Sequence, residues 1–187
     1  LLHAESNFGK QLDSLSDLVT SGVVPGIVVY QLFKLSGNRV LDFDLNSYIN
    51  PIFNLDLVFS ISPVAFIAFL ITLGSAVRLA KFNTIDYTDE FEGLPTPANA
   101  LFFVAFPLLI DHVYLLESKE YLLNNYTLII LTISSVILMN VPFRLFSLRM
   151  SLRKNDYNIF KILTIFLSIP LILIFGLGGF SLVIILY

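Results

Sequence analysis

The stretch FGKQLDSLSDLVTSGVVPG, residues 8–26, places two carboxylates four residues apart, directly before an almost wholly apolar run. These are Asp13 and Asp17, and the run from Leu18 to Phe33 carries no charge. Together with the turn before it, the run has the length of a membrane-spanning helix, which needs about 20 mostly apolar residues. Because carboxylates at a membrane helix are costly, a cation or a buried polar site usually accompanies them.

The composition of all 187 residues indicates the same class of protein. The chain is 56% hydrophobic and only 13% charged, with a mean hydropathy of +0.83. A soluble domain of this size cannot hide so much apolar surface. The apolar runs are continuous and do not alternate as lipid-facing barrel strands do. We therefore predict an all-α, polytopic transmembrane helix bundle that forms a single integral-membrane domain over residues 1–187.

The absence of cysteine from the sequence excludes several kinds of chemistry. It rules out a disulfide framework, a thiolate nucleophile and a cysteine-based metal site. No basic patch with interleaved aromatic residues is present, so no nucleic-acid partner is expected. The two histidines, His3 and His112, are isolated from each other and are predicted to be surface residues rather than ligands.

Apolar runs predict five or six spans in this chain. They cover residues 18–33, 57–77, 94–110, 121–143 and 162–187. The last run is too long for one untilted span. Either Gly176, Gly178 and Gly179 divide it into one helix and the start of another, or it forms a single tilted helix.

The distribution of basic residues predicts the orientation of the bundle. If the Asp13/Asp17 end faces the cytoplasm, eight of the eleven basic residues lie on the cytoplasmic side and three lie outside. The eight are Lys10, Arg78, Lys81, Arg144, Arg149, Arg153, Lys154 and Lys161. We therefore expect an integral membrane protein whose aspartate end faces the cytoplasm, in the inner or plasma membrane if its source is bacterial.

A polar stripe runs along the first helix, because Gly9, Asp13, Asp17 and Ser21 are spaced four residues apart. Residues at this spacing share a helix face, about 6 Å apart. Carboxylate oxygens in this arrangement suit a hard divalent cation such as Mg²⁺ or Mn²⁺. An alternative stays open, in which Asp13 caps the helix and Asp17 is a solvated acid of its first turn. Two carboxylates do not complete a metal shell, so further ligands are expected before Leu1.

The spacing of residues 9–17, G-x3-D-x3-D, resembles the second half of the motif of the CDP-alcohol phosphotransferase family. The full family motif is D-G-x2-A-R-x8-G-x3-D-x3-D. Eight residues precede Gly9, which equals the family's spacer, so the chain is expected to begin directly after the motif arginine and to lack its first helices. The chain also stops within the apolar run SLVIILY, which leaves a cut C-terminal end open.

Further stretches resemble the phosphatidylserine synthase branch of that family. They are DSLSDLVTSGVVPG (13–26), GSAVRLAKFN (74–83), FEGLPTPANA (91–100) and, more loosely, LMNVPFRLFSL (138–148). The resemblance implies a CDP-diacylglycerol–serine O-phosphatidyltransferase of phospholipid biosynthesis. Such an enzyme transfers the phosphatidyl group of CDP-diacylglycerol to the hydroxyl of L-serine and releases CMP.

The same resemblance implies roles for the residues of the aspartate stripe. Asp13 is implied to be a ligand of Mg²⁺ or Mn²⁺. Asp17 is implied to be the general base that takes the proton of the serine hydroxyl, and also to contact metal. Gly9 is implied to line the nucleotide site.

Arg78, Asn83 and Arg144 are the further candidates for substrate binding. The guanidinium of Arg78 suits the donor diphosphate or the serine carboxylate. The alternative is that Arg78 anchors the helix at the lipid headgroups. Asn83 is expected to hydrogen-bond substrate or to cap a helix end, and Arg144, at a span end, to face the substrate pocket.

Two other functions remain open on the sequence. A related enzyme with glycerol 3-phosphate or an inositol phosphate as acceptor would need clustered arginines, and only Arg78 and Arg144 are suitably placed. A cation-coupled transporter would use Asp13 and Asp17 as an intramembrane cation site, and would show repeated halves and broken helices. The expected partners of the enzyme are CDP-diacylglycerol, L-serine and the lipid bilayer, and the resemblance also allows a homodimer.

Overall fold

The fold is a bundle of apolar helices, seen in a computed structural model that describes residues 7–36, 43–44, 60–61, 63–84, 93–111, 119–142 and 156–186. The helices are α1 (Asn7–Leu18), α2 (Val24–Leu35), α3 (Leu70–Thr84), α4 (Thr96–Ile110), α5 (Lys119–Leu122), α6 (Asn125–Asn140), α7 (Asp156–Phe175) and α8 (Gly179–Leu186). The prediction of an all-α membrane bundle is confirmed, with one small exception. Strands β1 (Phe43–Asp44) and β2 (Ser60–Ile61) form a minimal antiparallel pair.

Two of the connections between helices are themselves helical, and a third such segment precedes α3. A π-helical segment, Val19–Val23, joins α1 to α2 without a break. A 3-10 segment, Pro63–Phe69, leads into α3, and another, Gly176–Gly178, joins α7 to α8. These joints set the direction in which each apolar face points.

The continuous segment formed by α1, the π segment and α2 packs antiparallel against α3 through small residues. A Cβ on Gly26 would lie 2.9 Å from Thr72 Oγ1, and one on Gly22 would lie 3.1 Å from the Cβ of Ser75. The Thr72 hydroxyl donates to the Gly22 carbonyl at 3.0 Å. Helices in a membrane associate by such close backbone approach, because lipid gives them no hydrophobic driving force for packing.

The α7–α8 region is a helical hairpin, as the glycine-division alternative predicted. A Cβ on Gly179 would lie 2.5 Å from the carbonyl oxygen of Leu171, eight residues earlier. In one continuous helix these residues would lie about 12 Å apart, so the chain reverses. Gly176, with φ +57°, provides the left-handed conformation at the turn. The hairpin is held to α4, since the Ser181 hydroxyl donates to the Phe102 carbonyl at 2.8 Å.

The bundle is apolar outside and partly polar inside. Leu173 is 79% exposed and Ile130 66%, whereas Ser75, Thr132 and Ser181 are 0% exposed. Such an exterior suits hydrocarbon rather than water. Among the described residues, the helical segments that are long and apolar enough to cross a membrane are Phe8–Leu35, Pro63–Asn83 and Leu163–Leu186. The helices α4 and α6 are also apolar but shorter. The third of these segments qualifies by composition, but its reversal at the glycines makes it two helices.

The predicted spans differ from the helices mainly at their ends. The first extends beyond 18–33 and is one helical segment from Phe8 to Leu35. The second begins at Pro63 rather than at residue 57, since a proline is well suited to the first turn of a helix. The run 121–143 is divided, because the Asn124 side chain caps α6 by accepting from the Tyr126 N–H at 3.1 Å.

Candidate active site

The paired aspartates lie well inside α1, so the open alternative in which Asp13 caps the helix is wrong. The helix already includes Asn7, which places Asp13 in its middle and Asp17 in its last turn. Gly9 and Asp13 are exposed, whereas Asp17 is half-buried. Ser21, in the π segment, is buried at 6% exposure. The stripe therefore runs from solvent into the bundle.

Neither aspartate carboxylate has a hydrogen-bond or ion-pair partner among the described residues. The neighbouring hydroxyls bind backbone carbonyls one turn earlier instead. Ser14 donates to the Lys10 carbonyl at 3.1 Å, and Ser16 donates to the Leu12 carbonyl at 2.9 Å. The carboxylate oxygens are therefore not used by the side chains of this part of the chain.

The donor chemistry of the two aspartates fits a divalent metal, but the set is incomplete in the described part of the chain. Asp13 and Asp17 offer only oxygen ligands on one face, as Mg²⁺ and Mn²⁺ prefer. No group of three histidine, aspartate or glutamate side chains that would hold a metal occurs among the described residues. These two aspartates alone do not complete the shell of such a cation.

Asn83 is brought to the aspartate helix by the antiparallel packing of α3 on α1. Its Nδ2 donates to the Ser14 Oγ at 2.9 Å, and Ser14 directly follows Asp13. Asn83 is exposed at this edge. The structure therefore places Asn83 beside the carboxylates, and its contact with substrate stays a prediction.

The π segment sets the orientation of the aspartates relative to α2. The Val24 N–H donates to the Val19 carbonyl, five residues back, and Pro25 has no N–H to donate. The carbonyl of Ser21 receives the Ser75 hydroxyl from α3 instead, at 3.4 Å. π-Helical turns inside helices occur often at functional sites. This turn lies immediately after Asp17.

Arg78 of α3 joins two distant parts of the backbone. Its Nη1 donates to the Met139 carbonyl at the end of α6, and its Nη2 donates to the Gly93 carbonyl at 3.3 Å. The Leu94 N–H donates to the Leu138 carbonyl at 3.0 Å beside this contact. These bonds direct the guanidinium of Arg78 to backbone carbonyls of the protein rather than to lipid headgroups, as the anchor alternative would require. The predicted contact of Arg78 with an anionic group of a substrate stays a prediction.

The predicted site residues that the structure describes lie at one end of the bundle, where Asn83 contacts the aspartate helix through Ser14. The contacts of Asn83 with α1, and of Arg78 with α6 and with the residues before α4, bring the aspartate end together with three other helix ends. Arg144 lies outside the described residues. Three stretches that are far apart in sequence, around Arg78, Gly93 and Met139, therefore converge.

Sequence reasoning missed a buried polar pair between α4 and α6. The Ser135 hydroxyl donates to Asn99 Oδ1 at 2.6 Å, and Asn99 is 1% exposed. Within the described part of the chain, the Nδ2 of Asn99 has no hydrogen-bond partner. Both residues stand in apolar runs, where a single polar residue gives no sign of which residue it will meet.

The fold and the site together define a class of protein: a polytopic helical membrane protein with paired aspartates at one end. No family model matches the chain, and no solved structure matches it. Curated relatives do match. The CDP-diacylglycerol–serine O-phosphatidyltransferase of Methanocaldococcus jannaschii is 34% identical over 113 residues, which cover 60% of this chain and 42% of the relative.

Two further relatives carry related names. The Mycobacterium leprae protein of the same name is 31% identical over 54% of this chain and 28% of its own length. The archaetidylserine synthase of Methanothermobacter thermautotrophicus is 33% identical over 54% of this chain and 34% of its own length. The chain thus spans well under half the length of these relatives. They confirm the predicted resemblance to the phosphatidylserine synthase branch of the CDP-alcohol phosphotransferases.

Proposed function

We propose that the protein transfers the phosphatidyl group of CDP-diacylglycerol to the hydroxyl of L-serine and releases CMP. The observation that carries the proposal is the convergence at one bundle end of Asp13, Asp17, Asn83 and Arg78, all from stretches that resemble the synthase branch. An end of a membrane bundle suits a lipid donor that lies in the bilayer and an acceptor and a product that are soluble in water.

Asp13 and Asp17 are the proposed ligands of a divalent cation, Mg²⁺ or Mn²⁺. When bound, the cation would neutralise charge on the donor diphosphate, which two carboxylates alone would repel. The carboxylates are well suited to this, because no side chain among the described residues competes for their oxygens. Gly9, one turn before Asp13 and exposed, leaves room for the nucleotide to approach the helix backbone.

Asp17 is the proposed general base. The serine hydroxyl oxygen attacks the phosphorus that carries the diacylglycerol, its proton passes to an Asp17 oxygen, and the bond from that phosphorus to the CMP oxygen breaks. The half-buried position of Asp17, against the exposed position of Asp13, supports this division of roles. A base deeper in the bundle is better shielded from bulk water. No covalent nucleophile is needed for this direct transfer.

The remaining predicted residues would bind the substrates. Two of the five N–H donors of Arg78 are held by backbone carbonyls, and the others are proposed to bind the donor diphosphate or the serine carboxylate. Asn83 and Arg144 are proposed as further substrate contacts. A homodimer and an aspartate end that faces the cytoplasm are also proposed.

The names of the relatives favour serine as the acceptor. All three relatives described above are named for a serine-containing lipid or for serine itself, and none for glycerol 3-phosphate or an inositol phosphate. The names differ in the lipid part, so they support serine as the acceptor more directly than they support CDP-diacylglycerol as the donor. Each is named as a transferase or a synthase, which supports an enzyme over a cation-coupled transporter.

Release of CMP from CDP-diacylglycerol by the purified complete protein tests the proposal. We expect release to depend on L-serine and on Mg²⁺ or Mn²⁺, with glycerol 3-phosphate and inositol phosphate inactive as acceptors. Release that depends on one of those phosphorylated acceptors, and not on serine, would assign the protein to another acceptor class.

A further inference from the structure

Gly93 occupies a position that has no room for a side chain. A Cβ there would lie 2.8 Å from Arg78 Nη1, 2.8 Å from the Met139 carbonyl oxygen and 3.0 Å from the Val141 carbonyl oxygen. Its φ of +69° lies in the left-handed region, which residues other than glycine adopt only with strain. Gly93 is buried. Two independent features, the backbone conformation and the close approach of three groups, therefore require glycine.

The guanidinium of Arg78 is held along one edge by two carbonyls from different parts of the fold. Nη1 donates to Met139 at the end of α6, and Nη2 donates to Gly93, three residues before α4. The two carbonyl-bearing segments are joined to each other by the bond from the Leu94 N–H to the Leu138 carbonyl. Because a guanidinium is planar, fixing two of its nitrogens fixes the direction of its remaining N–H groups.

We propose that Gly93 is a positioning residue for Arg78. Its carbonyl and that of Met139 form a backbone cradle, and its missing side chain leaves the space in which the guanidinium lies. The inference rests on the proposed function only in that Arg78 binds an anionic group of a substrate. The anion is a diphosphate of the lipid donor or the carboxylate of the amino-acid acceptor, and the cradle orients Arg78 towards it in either case.

Gly93→Ala in the complete protein is the direct test, with Gly176→Ala as its matched control. Gly176 also has a left-handed φ, of +57°, but a Cβ there would meet nothing within 4 Å. Both variants carry the same kind of backbone strain, but only Gly93→Ala places a Cβ against the guanidinium and against the Met139 and Val141 carbonyls that surround it. We expect Gly93→Ala to lower kcat/KM for serine-dependent CMP release about ten-fold or more, since small misplacements of binding groups are costly. Gly176→Ala should stay within about two-fold of the wild type, because its surroundings are open.

The Michaelis constants separate positioning from general loss of structure. Arg78→Met should raise the KM of whichever substrate the guanidinium binds, CDP-diacylglycerol or serine. Gly93→Ala should raise the KM of that same substrate, and Gly176→Ala should raise neither. A rise in the other KM, or an equal effect of the two glycine variants, would overturn the cradle.

A double-mutant cycle in melting temperature tests the cradle without any activity measurement. With Arg78→Met already present, Gly93→Ala should lower the melting temperature less than it does in the wild type, because no guanidinium remains to be displaced and only the close approach to the Met139 and Val141 carbonyls is left. Additive shifts of Gly93→Ala and Arg78→Met would contradict the proposal. If Arg78→Met is not recovered folded, Arg78→Lys completes the cycle, since a single ammonium cannot hold both carbonyls in one plane. If the wild type shows no serine-dependent release, the proposed function fails, and the melting temperatures alone decide on the cradle.

Discussion

The two aspartates of α1 differ in surroundings although they share one helix face. Asp13 is exposed and Asp17 is half-buried, one turn nearer the π segment. The hydroxyls around them are used locally, and even Thr20, one turn on, donates to the Ser16 carbonyl at 3.0 Å. No described side chain binds either carboxylate, which is compatible with the ligand role proposed for them. Both aspartates are proposed to bind the metal, and this difference in depth supports giving the role of proton acceptor to the inner one, Asp17.

Asp13→Asn should weaken the dependence of the reaction on the divalent cation as well as its rate. An amide supplies one neutral oxygen in place of a carboxylate, so a higher concentration of Mg²⁺ or Mn²⁺ is expected for half-maximal CMP release. We expect a shift of about ten-fold or more, which corresponds to about 1.4 kcal/mol of binding free energy. A metal titration of wild type and variant measures it.

Asp111→Asn is the matched control for that titration. Asp111 lies at the other end of α4, where it is exposed and pairs with Lys119 at 3.5 Å. Exposed pairs of this kind contribute little to stability. An unchanged metal titration for Asp13→Asn, or an equal shift for Asp111→Asn, would remove Asp13 from the metal site.

The spacing of the aspartates was readable from the sequence, but their place in the helix was not. Asp13 and Asp17 share a face in any helix, so the stripe followed from the period alone. Whether Asp13 began the helix depended on the residues before it, a mixture of polar and apolar residues about which the aspartate spacing says nothing. Arg78 was singled out from its motif, yet its carbonyl partners at Gly93 and Met139 were not predictable, because backbone carbonyls have no signature in sequence.

At the scale of the helices, small residues determine how α1 and α2 meet α3. Gly22 and Gly26 lie one turn apart and approach Ser75 and Thr72 on the facing helix. The approach brings the last turn of α3, with Asn83, to the level of Ser14. The packing in the middle of the helices therefore controls which residues stand beside the aspartates at their ends.

Gly26→Leu should separate these helices and lower both stability and activity. The new side chain would meet Thr72 and the Ala68 carbonyl, which belongs to the backbone and cannot rotate away. Overpacking of this kind typically costs about 1–3 kcal/mol. Val24→Leu, at a position 42% exposed to the lipid side, adds bulk without this clash and serves as the control. Equal melting temperatures for the two variants would show that the glycine contact does not hold the pair together.

The hairpin of α7 and α8 shows which helix boundaries the sequence pattern predicts and which it does not. The glycines at 176, 178 and 179 raised the alternative of two helices, and that alternative is confirmed. Composition alone still describes Leu163–Leu186 as one apolar segment. The break of the fourth predicted span at Asn124 was missed, because an asparagine within an apolar run can lie inside a helix as well as cap one, and its sequence position alone does not distinguish the two.

At the scale of the whole molecule, the helix order alternates between two ends. The aspartates, Asn83, Gly93 and Met139 lie at one end, and the Gly176–Gly178 turn lies at the other, beside Leu109 at the end of α4. The basic residues predict that the aspartate end faces the cytoplasm. The packing confirms which ends lie together, and the side of the membrane stays a prediction.

Single-cysteine labelling tests that orientation cleanly, because the chain contains no cysteine. Phe8 is 76% exposed at the aspartate end, and Leu177 is 67% exposed at the opposite turn. Leu177→Cys should react with a membrane-impermeant maleimide on intact cells, and Phe8→Cys only after the cells are permeabilised. The reverse pattern would invert the orientation, and labelling of both from outside would contradict the arrangement of the bundle.

Incorporation of radiolabelled L-serine into lipid by membranes that contain the complete protein tests most directly whether the aspartate face performs the proposed transfer. Asp17→Asn removes the proton acceptor and leaves the size of the side chain unchanged. We predict that it nearly abolishes labelled lipid while CDP-diacylglycerol binding persists, and that Asp111→Asn keeps wild-type incorporation. Near-wild-type incorporation by Asp17→Asn would contradict the assignment of the base and, with it, the chemical role proposed for this face of α1.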